Sequence, residues 1–451
     1  MVMNNMSPQI SFFFKRPAAV RRRGLNASRR SASARGPGRW PRLRASVLAL
    51  VVGAAPSGAF ADAVTDWNAI MQTMVMPSNA FFQARSAAIV QLAVFEAVNA
   101  ITHDYEPYLD VVTARHRASP EAAAVAAAHR ALVALYPNST DSLNGARAAS
   151  LEAIPDGASK DDGIAVGEAA AAAMLALRAD DGSGALVPYT PGTAPGDWQP
   201  TPPAHAPALL PGWGAVTTFG IVKGSQFRVP PPPALHTRKY ARDYKEVKEI
   251  GHASSSERPQ DRADVARFYA AVLPVELFNS AARQVSAAQR MTLSENARLF
   301  ALLAMAVCDG LISSMEAKYH YECWRPVTAI RSGAMDGNRR TDSDAAWLPL
   351  INTPPFPSYP SNHATASGAA RAVLERIFGE DGFSVTLSSV AVPGVVFNYT
   401  AWEQIADDID DARIFGGIHF RFEQEAGARQ GRRVGLDIFR HELRETCRPR
   451  K

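Results

Sequence analysis

A proline-rich run, Pro354-Pro-Phe-Pro-Ser-Tyr-Pro-Ser-Asn-His363, ends where an alanine-rich helical pattern begins, and this junction limits what the chain can build. Proline lacks a backbone N–H and disfavours helical geometry in the residue before it, so the run reads as an irregular loop delivered to a helix start. Ser361 is placed as the N-cap of a helix that carries Ala366, Ala370, Val373 and Ile377 on one face as far as Gly379. First-turn N–H groups have no internal partner and carry partial positive charge, so such a start favours an anion. Ser361, Asn362 and His363 place a hydroxyl, an amide and an imidazole there. On these residues alone, a capped helix with an exposed histidine is an equal alternative.

Helical spacing dominates elsewhere. Ala84, Ala88, Leu92, Phe95 and Val98 recur at three and four between Phe81 and Ile101, and alanine-rich helices are predicted around Glu121–Leu135 and Ile164–Arg178. Between Asp180 and Pro233, Pro, Gly, Trp and Thr mark a long ordered loop or cover. Helical periodicity resumes over Arg262–Leu273 and then from Ala287 towards Trp324, through Leu293, Ala297, Phe300, Ala301, Ala304 and Cys308. Val385–Val396 is the best strand candidate, although it contains Pro393. The expected fold is all-α, and no repeat of solenoid period is present.

The formal charge of +5 is unevenly distributed. Eleven Lys and Arg residues precede residue 45 and no acid occurs before Asp62; removing those eleven leaves 37 basic against 43 acidic residues, a body of −6. The basic segment runs into Ala45-Ser-Val-Leu-Ala-Leu-Val-Val-Gly-Ala-Ala55 and then Ala59-Phe-Ala61, the order of a signal peptide, which predicts export with cleavage near Ala61. A basic tail for nucleic acid is the weaker alternative, because a run of arginines without a fold is weak evidence for it. No later segment holds the roughly 18 uninterrupted apolar residues of a membrane helix, so a soluble mature chain is expected. Cys308, Cys323 and Cys447 are too few for a disulfide framework; buried thiols, or a single Cys308 to Cys323 bridge, are the readings.

Two further clusters carry cations. Lys318 and Arg325 lie seven apart in Glu316-Ala-Lys-Tyr-His-Tyr-Glu-Cys-Trp-Arg-Pro326. On one helix they would point within about 20° of each other. Pro326 is expected to end that helix. In Ala412-Arg-Ile-Phe-Gly-Gly-Ile-His419, Gly416 and Gly417 are expected to break the helix so that His419 starts the next segment. Surface ion pairs and a core histidine are the ordinary readings of each cluster taken singly.

Together the clusters resemble the vanadium-dependent haloperoxidases, which share an active-site plan with the type 2 phosphatidic acid phosphatases. That plan is Lys, six residues, Arg-Pro; then Pro-Ser-Gly-His; then Ser-Arg, five residues, His. This chain supplies Lys318 and Arg325-Pro326, then Pro360-Ser-Asn-His363, then Ala412-Arg413 and His419 in the same order. Asn362 stands where the family has Gly, and Ala412 where it has Ser. The likeness is best from about Arg290 to Arg440, with weaker echoes at Phe95-Glu-Ala-Val-Asn-Ala-Ile101 and Tyr105-Glu-Pro-Tyr108.

The resemblance implies two packed four-helix bundles, with an N-terminal half at about 62–260 and a catalytic half at about 261–445. It implies vanadate as cofactor, with phosphate as an alternative occupant, held by Lys318, Arg325, Ser361, Asn362 and Arg413. His419 would be the vanadium ligand and His363 the proton shuttle, while Lys318 polarises bound peroxide. Phe356 and Met315 would line the halide pocket; Phe at the first resembles chloroperoxidases, whereas Met stands where those enzymes often place Trp. The implied reactants are hydrogen peroxide, a halide and a small organic acceptor; a homodimer is an allowed assembly, and no nucleic-acid partner is implied. The alternatives are a phosphatase working through a phosphohistidine and a non-catalytic phosphate-binding protein. The His363 and His419 pair argues against the last, since binding alone needs only cations and amides.

Outside these motifs, Asp309 is expected either to support an arginine through another helix or to be a surface acid. Glu423, four after His419, could reach back one turn to orient a neighbour. Glu403, Asp407, Asp408, Asp410 and Asp411 read as a solvated face. His320, Glu322 and Cys323 spread around the helix rather than forming a zinc set.

Overall fold

The computed structural model describes residues 62–115 and 117–446. The export segment expected before Ala61, and Cys447, lie outside the described residues. The elements run α1 (Ala63–Val75), α2 (Ala80–Thr102), α3 (Pro120–Leu135), α4 (Thr140–Glu152), α5 (Ala158–Leu177), α6 (Arg238–Ile250), α7 (Gln260–Ala271), α8 (Pro274–Gln289), α9 (Leu293–Tyr321), α10 (Pro326–Arg331) and α11 (Asn362–Phe378). A hairpin of β1 (Asp381–Ser388) and β2 (Val396–Ala401) follows, then α12 (Trp402–Phe415) and α13 (Arg421–His441). The fold is helical, as expected.

Local chemistry sets the helix boundaries. The Asn79 side chain accepts from the N–H groups of Phe81 and Phe82 at 3.1 and 3.2 Å and starts α2. Thr292 and Glu295 close a capping box that starts α9. The pattern predicted as one helix from Ala287 is therefore two, because Arg290 turns left-handed at φ 56 and ends α8 first. The strand candidate Val385–Val396 likewise spans the end of β1, a turn containing Pro393 and the first residue of β2.

Helix α9 is central: α2 packs on it from the N-terminal group of helices, and α11 and α13 pack on it from the C-terminal group. By length and apolarity α2 and α9 could each cross a membrane, but 83% and 94% of their most apolar windows are buried inside the protein, so they are its core helices. The closest pairing is α11 on α13. Gly427, Gly431 and Gly435 of α13 lie against the backbone carbonyls of Ser361, Thr365 and Ala369, so close that an added Cβ at any of them would collide with backbone.

The predicted cover between residues 180 and 233 is ordered, with short 3-10 turns at Trp213–Ala215 and Gly224–Phe227. Buried Asp309 fastens it, accepting from the N–H groups of Phe219, Gly220 and Ile221 at 2.7, 2.7 and 3.0 Å. Asp309 is thus neither a surface acid nor hydrogen-bonded to an arginine. Arg178 stacks over Phe219 at 3.8 Å and pairs with Asp181, which also takes Arg85. The acidic run of α12 is only partly a solvated face: Asp408 accepts from Tyr399 and Arg262, and Asp411 pairs with Arg421.

Burial pushes the Asp309 carboxyl up to about 6, against the opposing pull of three N–H donors. An amide would turn a donor towards those N–H groups and strand at least one of them. Asp309→Asn should therefore lower stability by about 1–3 kcal/mol, read as a reduced urea midpoint; an unchanged midpoint would show that the cover does not depend on this anchor.

Candidate active site

Three chain segments deliver the site. Lys318 comes from the last turn of α9 and Arg325 from the N-cap of α10. They do not share a helix, because Glu322 turns left-handed at φ 50 and ends α9 before Arg325. Pro326 opens α10 instead of closing α9. The two cations nevertheless converge, and the Phe356 ring is what they converge on: Lys318 Nζ lies 5.2 Å and the Arg325 guanidinium carbon 4.9 Å from its centroid. Backbone carbonyls of the same loop hold them. Lys318 Nζ donates to Pro357 O at 2.8 Å and Ser358 O at 2.5 Å, and Arg325 Nε to Phe356 O at 2.9 Å.

The proline-rich loop then caps α11. Ser361 is its N-cap, with the hydroxyl accepting from Ala364 N at 3.4 Å, which leaves the first N–H groups of the helix for a ligand. Asn362 is accommodated because its side chain turns away, accepting from Ser314 Oγ at 2.7 Å and placing its amide 3.6 Å from the Met315 sulfur. His363 lines the cavity, and its Nε2 is shielded from solvent without a partner.

The third segment behaves as the glycines predict: α12 ends at Phe415, Gly417 adopts φ 77, and His419 sits between α12 and α13. Arg413, in the last turn of α12, donates from one terminal nitrogen to Tyr269 O at 3.0 Å, while its Nε has no partner. His419 faces buried Glu423, with Nδ1 2.6 Å from Oε2. Glu423 Oε2 also accepts from Ser358 Oγ at 2.8 Å and Phe420 N at 3.0 Å. Donation from Nδ1 to the carboxylate makes Nε2 the acceptor; it accepts from an Arg325 terminal nitrogen at 3.0 Å, a bond that a ligand at Nε2 would replace. The proton position is assigned from these partners.

Part of this set borders a cavity of about 240 Å³. Asn362, His363, Arg413 and His419 form its polar end, and Phe81, Leu209, Leu273, Pro274, Leu311, Pro354 and Phe356 its apolar walls. Phe356 is thus on the wall, whereas Met315 is fully buried and does not line it. Sequence reasoning missed Ser358, the Tyr269 carbonyl and the walls from α2, the α8 start and the cover. Ser358 lay inside the loop already singled out; the others belong to remote segments with no motif of their own. Cys308 and Cys323 are free thiols.

The electrostatics are unbalanced. Lys318, Arg325 and Arg413 are at most 3% exposed, and Glu423, hydrogen-bonded to His419, is the carboxylate whose charge is drawn to Lys318 and Arg325. Burial, followed by repulsion from Arg325, drives Lys318 well below its usual range and lowers Arg413 to about 9, while burial, opposed by Glu423, lowers Arg325 to about 10. The same causes hold His363 and His419 well below the ordinary imidazole value, so both rings are neutral near pH 7. Arg325 also keeps one terminal nitrogen buried without a partner. Buried, unmatched cations with orphaned donors are costly unless an anion completes them. A multiply charged oxyanion fits this donor set.

Comparison with known proteins agrees with the architecture. Residues 298–446 match the VCPO second helical-bundle domain. The chain is 26% identical over 310 residues to the vanadium chloroperoxidase of Curvularia inaequalis, covering 53% of this chain and 49% of that protein, so it spans about half the length of this curated relative. Its fold superposes on a bacterial vanadium-dependent iodoperoxidase with a TM-score of 0.73 at 23% identity, covering 85% of this chain and 97% of the other. A holo-type bacterial vanadium-dependent chloroperoxidase gives 0.66 at 17% identity, covering 86% and 94%. The chain has the vanadium haloperoxidase fold.

Burial raises the Glu423 carboxyl from 4.5 to about 7, opposed by Lys318 and Arg325. The anion-free folded protein then keeps a proton that the unfolded chain has released, so this group's contribution to stability falls as pH rises from 4.5 to about 7. Thermal midpoints of wild type and Glu423→Gln across that window test this. Wild type should lose ground to the variant as pH rises; a gain would mean that Glu423 is already ionised at low pH.

Proposed function

We propose that this protein is a vanadate-dependent haloperoxidase, converting halide, hydrogen peroxide and a proton into hypohalous acid and water. The observation that carries the reading is the set of three buried cations, two of them drawn to one carboxylate and the third lining a cavity with two neutral imidazoles. Lys318, Arg325 and Arg413, with the Ser361 hydroxyl and the Asn362 N–H, would neutralise the oxygens of vanadate, and His419 Nε2 would be its nitrogen ligand. When bound, vanadate supplies Lewis-acid activation of peroxide without a change in its own oxidation state.

The remaining work belongs to the chain's own residues. Glu423 holds the Nδ1 proton of His419 and so keeps the Nε2 lone pair directed away from itself. His363 is placed to give and take a proton at the polar end of the cavity. Lys318, fixed by two carbonyls and the Phe356 face, would hold its positive charge against a bound oxyanion. The apolar walls exclude water, which strengthens each of these interactions. A halide and a small organic acceptor would approach past Phe356. The basic and apolar segments before Ala61 support export.

A second reading has a specific basis. With Nδ1 facing Glu423, the His419 Nε2 lone pair would equally serve as a nucleophile towards phosphorus, with His363 protonating the leaving oxygen. One experiment separates the two. The purified chain is loaded with orthovanadate and assayed for monochlorodimedone halogenation with peroxide and each halide, beside p-nitrophenyl phosphate hydrolysis by the vanadate-free protein. Halogenation that requires vanadate is expected, and His419→Ala should reduce it at least about 100-fold. Phosphate-ester turnover without vanadate-dependent halogenation would reverse the order of the two readings.

A further inference from the structure

A larger cavity lies elsewhere. A cleft of about 510 Å³ lies between the start of α9, the end of α11, the end of α13 and the loop at Tyr105. Arg298 and Lys318 are twenty residues apart on α9, which sets this cavity about 30 Å from the catalytic lysine. Nothing in the proposed chemistry uses it, and its volume lies in the range of small-molecule sites.

Its organising residue is Arg298. The guanidinium lies between two rings, its carbon 5.1 Å from the Tyr105 centroid and 5.2 Å from that of Phe439, while Nε donates to Leu443 O at 2.7 Å. No carboxylate pairs with it among the described residues, and its two terminal nitrogens have no acceptor there. Burial lowers its pKa, opposed by the charges of Tyr105 and Glu445. Both rings are fixed. Tyr105 is clamped through its backbone by the Asn99 side chain at 2.9 and 3.0 Å, which accounts structurally for the two outlying sequence echoes near residues 99 and 105. Phe439 belongs to α13.

Around this clamp stand Arg376, Arg440 and Arg444, against Glu295 and Glu445. Glu295 is engaged in capping α9, and Arg444 is held by Glu106. Arg376 and Arg440 complement the C-terminal ends of α11 and α13 and have no carboxylate partner among the described residues. Met291, Leu299 and Ile377 supply aliphatic wall. A planar guanidinium held rigid with two open nitrogens matches a carboxylate bidentately, and the wall matches a hydrocarbon body.

We propose that this cavity binds an organic carboxylate with an apolar body, its headgroup on Arg298 and its hydrocarbon against Leu299 and Ile377. The site is separate from the oxyanion cradle and does not depend on what occupies that cradle. Calorimetric titration of the full chain with octanoate, and with octanol as the uncharged counterpart, tests it. Octanoate should bind at one site per chain, and octanol about tenfold more weakly or worse. Arg298→Ala should weaken octanoate by a similar factor. Because Arg298 also packs between two rings, the exposed pair Arg376→Ala with Arg440→Ala serves as a second variant, with a circular dichroism melt to show that it remains folded. That variant should weaken octanoate and leave octanol unchanged. Octanoate failing to bind the wild type, octanol binding as tightly as octanoate, or both variants binding octanoate like the wild type would each overturn the proposal.

Discussion

The contact between α11 and α13 sets the geometry of everything chemical in this chain. Gly427, Gly431 and Gly435 leave no Cβ to separate the helices, so the carbonyls of Ser361, Thr365 and Ala369 lie directly against the α13 backbone. The site-bearing ends of the two helices meet there: α11 opens with Ser361, Asn362 and His363, and α13 follows His419 and carries Glu423 in its first turn. A backbone bond from Ser361 N to Glu423 O at 3.1 Å ties those ends together. Any side chain in the seam would move one imidazole relative to the other. Close approach of the two backbones fixes how the start of α11, which carries His363, sits against the start of α13, which follows His419.

Around that seam the site holds charge that the protein itself does not balance. Lys318, Arg325 and Arg413 are stripped of water and held by carbonyls of Phe356, Pro357, Ser358, Ile418 and Tyr269. Carbonyl dipoles orient cations without neutralising them, so the field in the cavity remains positive. The apolar walls then keep that field unscreened. Those walls come from far away in the chain: Phe81 from α2, Leu273 and Pro274 from the α8 junction, and Leu209 from the cover. Leu209 N donates to Pro355 O at 2.8 Å, and Tyr319 OH to Leu209 O at 2.7 Å, so the cover is tied to the loop and helix it shields. Asp309 fastens the same cover further along, which links a buried acid remote from the cavity to the shape of its wall.

Much of this was legible in the chain because it depends on local rules. Ser361 as cap, Gly379 as terminator and the break at Gly416 and Gly417 follow from backbone chemistry that neighbours do not alter. The convergence of Lys318 and Arg325 was anticipated for the wrong reason. A seven-residue spacing suggested one helix face, whereas α9 ends at Glu322 and an aromatic ring gathers the two cations. Glu423 was read as reaching back one turn, and it reaches His419. Asp309 was misread because its partners are backbone N–H groups about ninety residues earlier, which leave no trace in side-chain spacing. The division between α8 and α9 was missed because Arg290 adopts a left-handed turn without glycine or proline to announce it. One signal was present and unused: glycines four apart at 427, 431 and 435, which mark a helix face that approaches another backbone.

The central claim is that these segments form one cradle for a tetrahedral oxyanion, ligated through His419. Equilibrium dialysis of the purified chain against orthovanadate, with inorganic phosphate as competitor, measures this without relying on turnover. The account predicts one vanadium per chain, displaced by phosphate and lost in both Arg325→Ala and His419→Ala. Vanadium that fails to bind, or that binds those two variants as it binds the wild type, would contradict it.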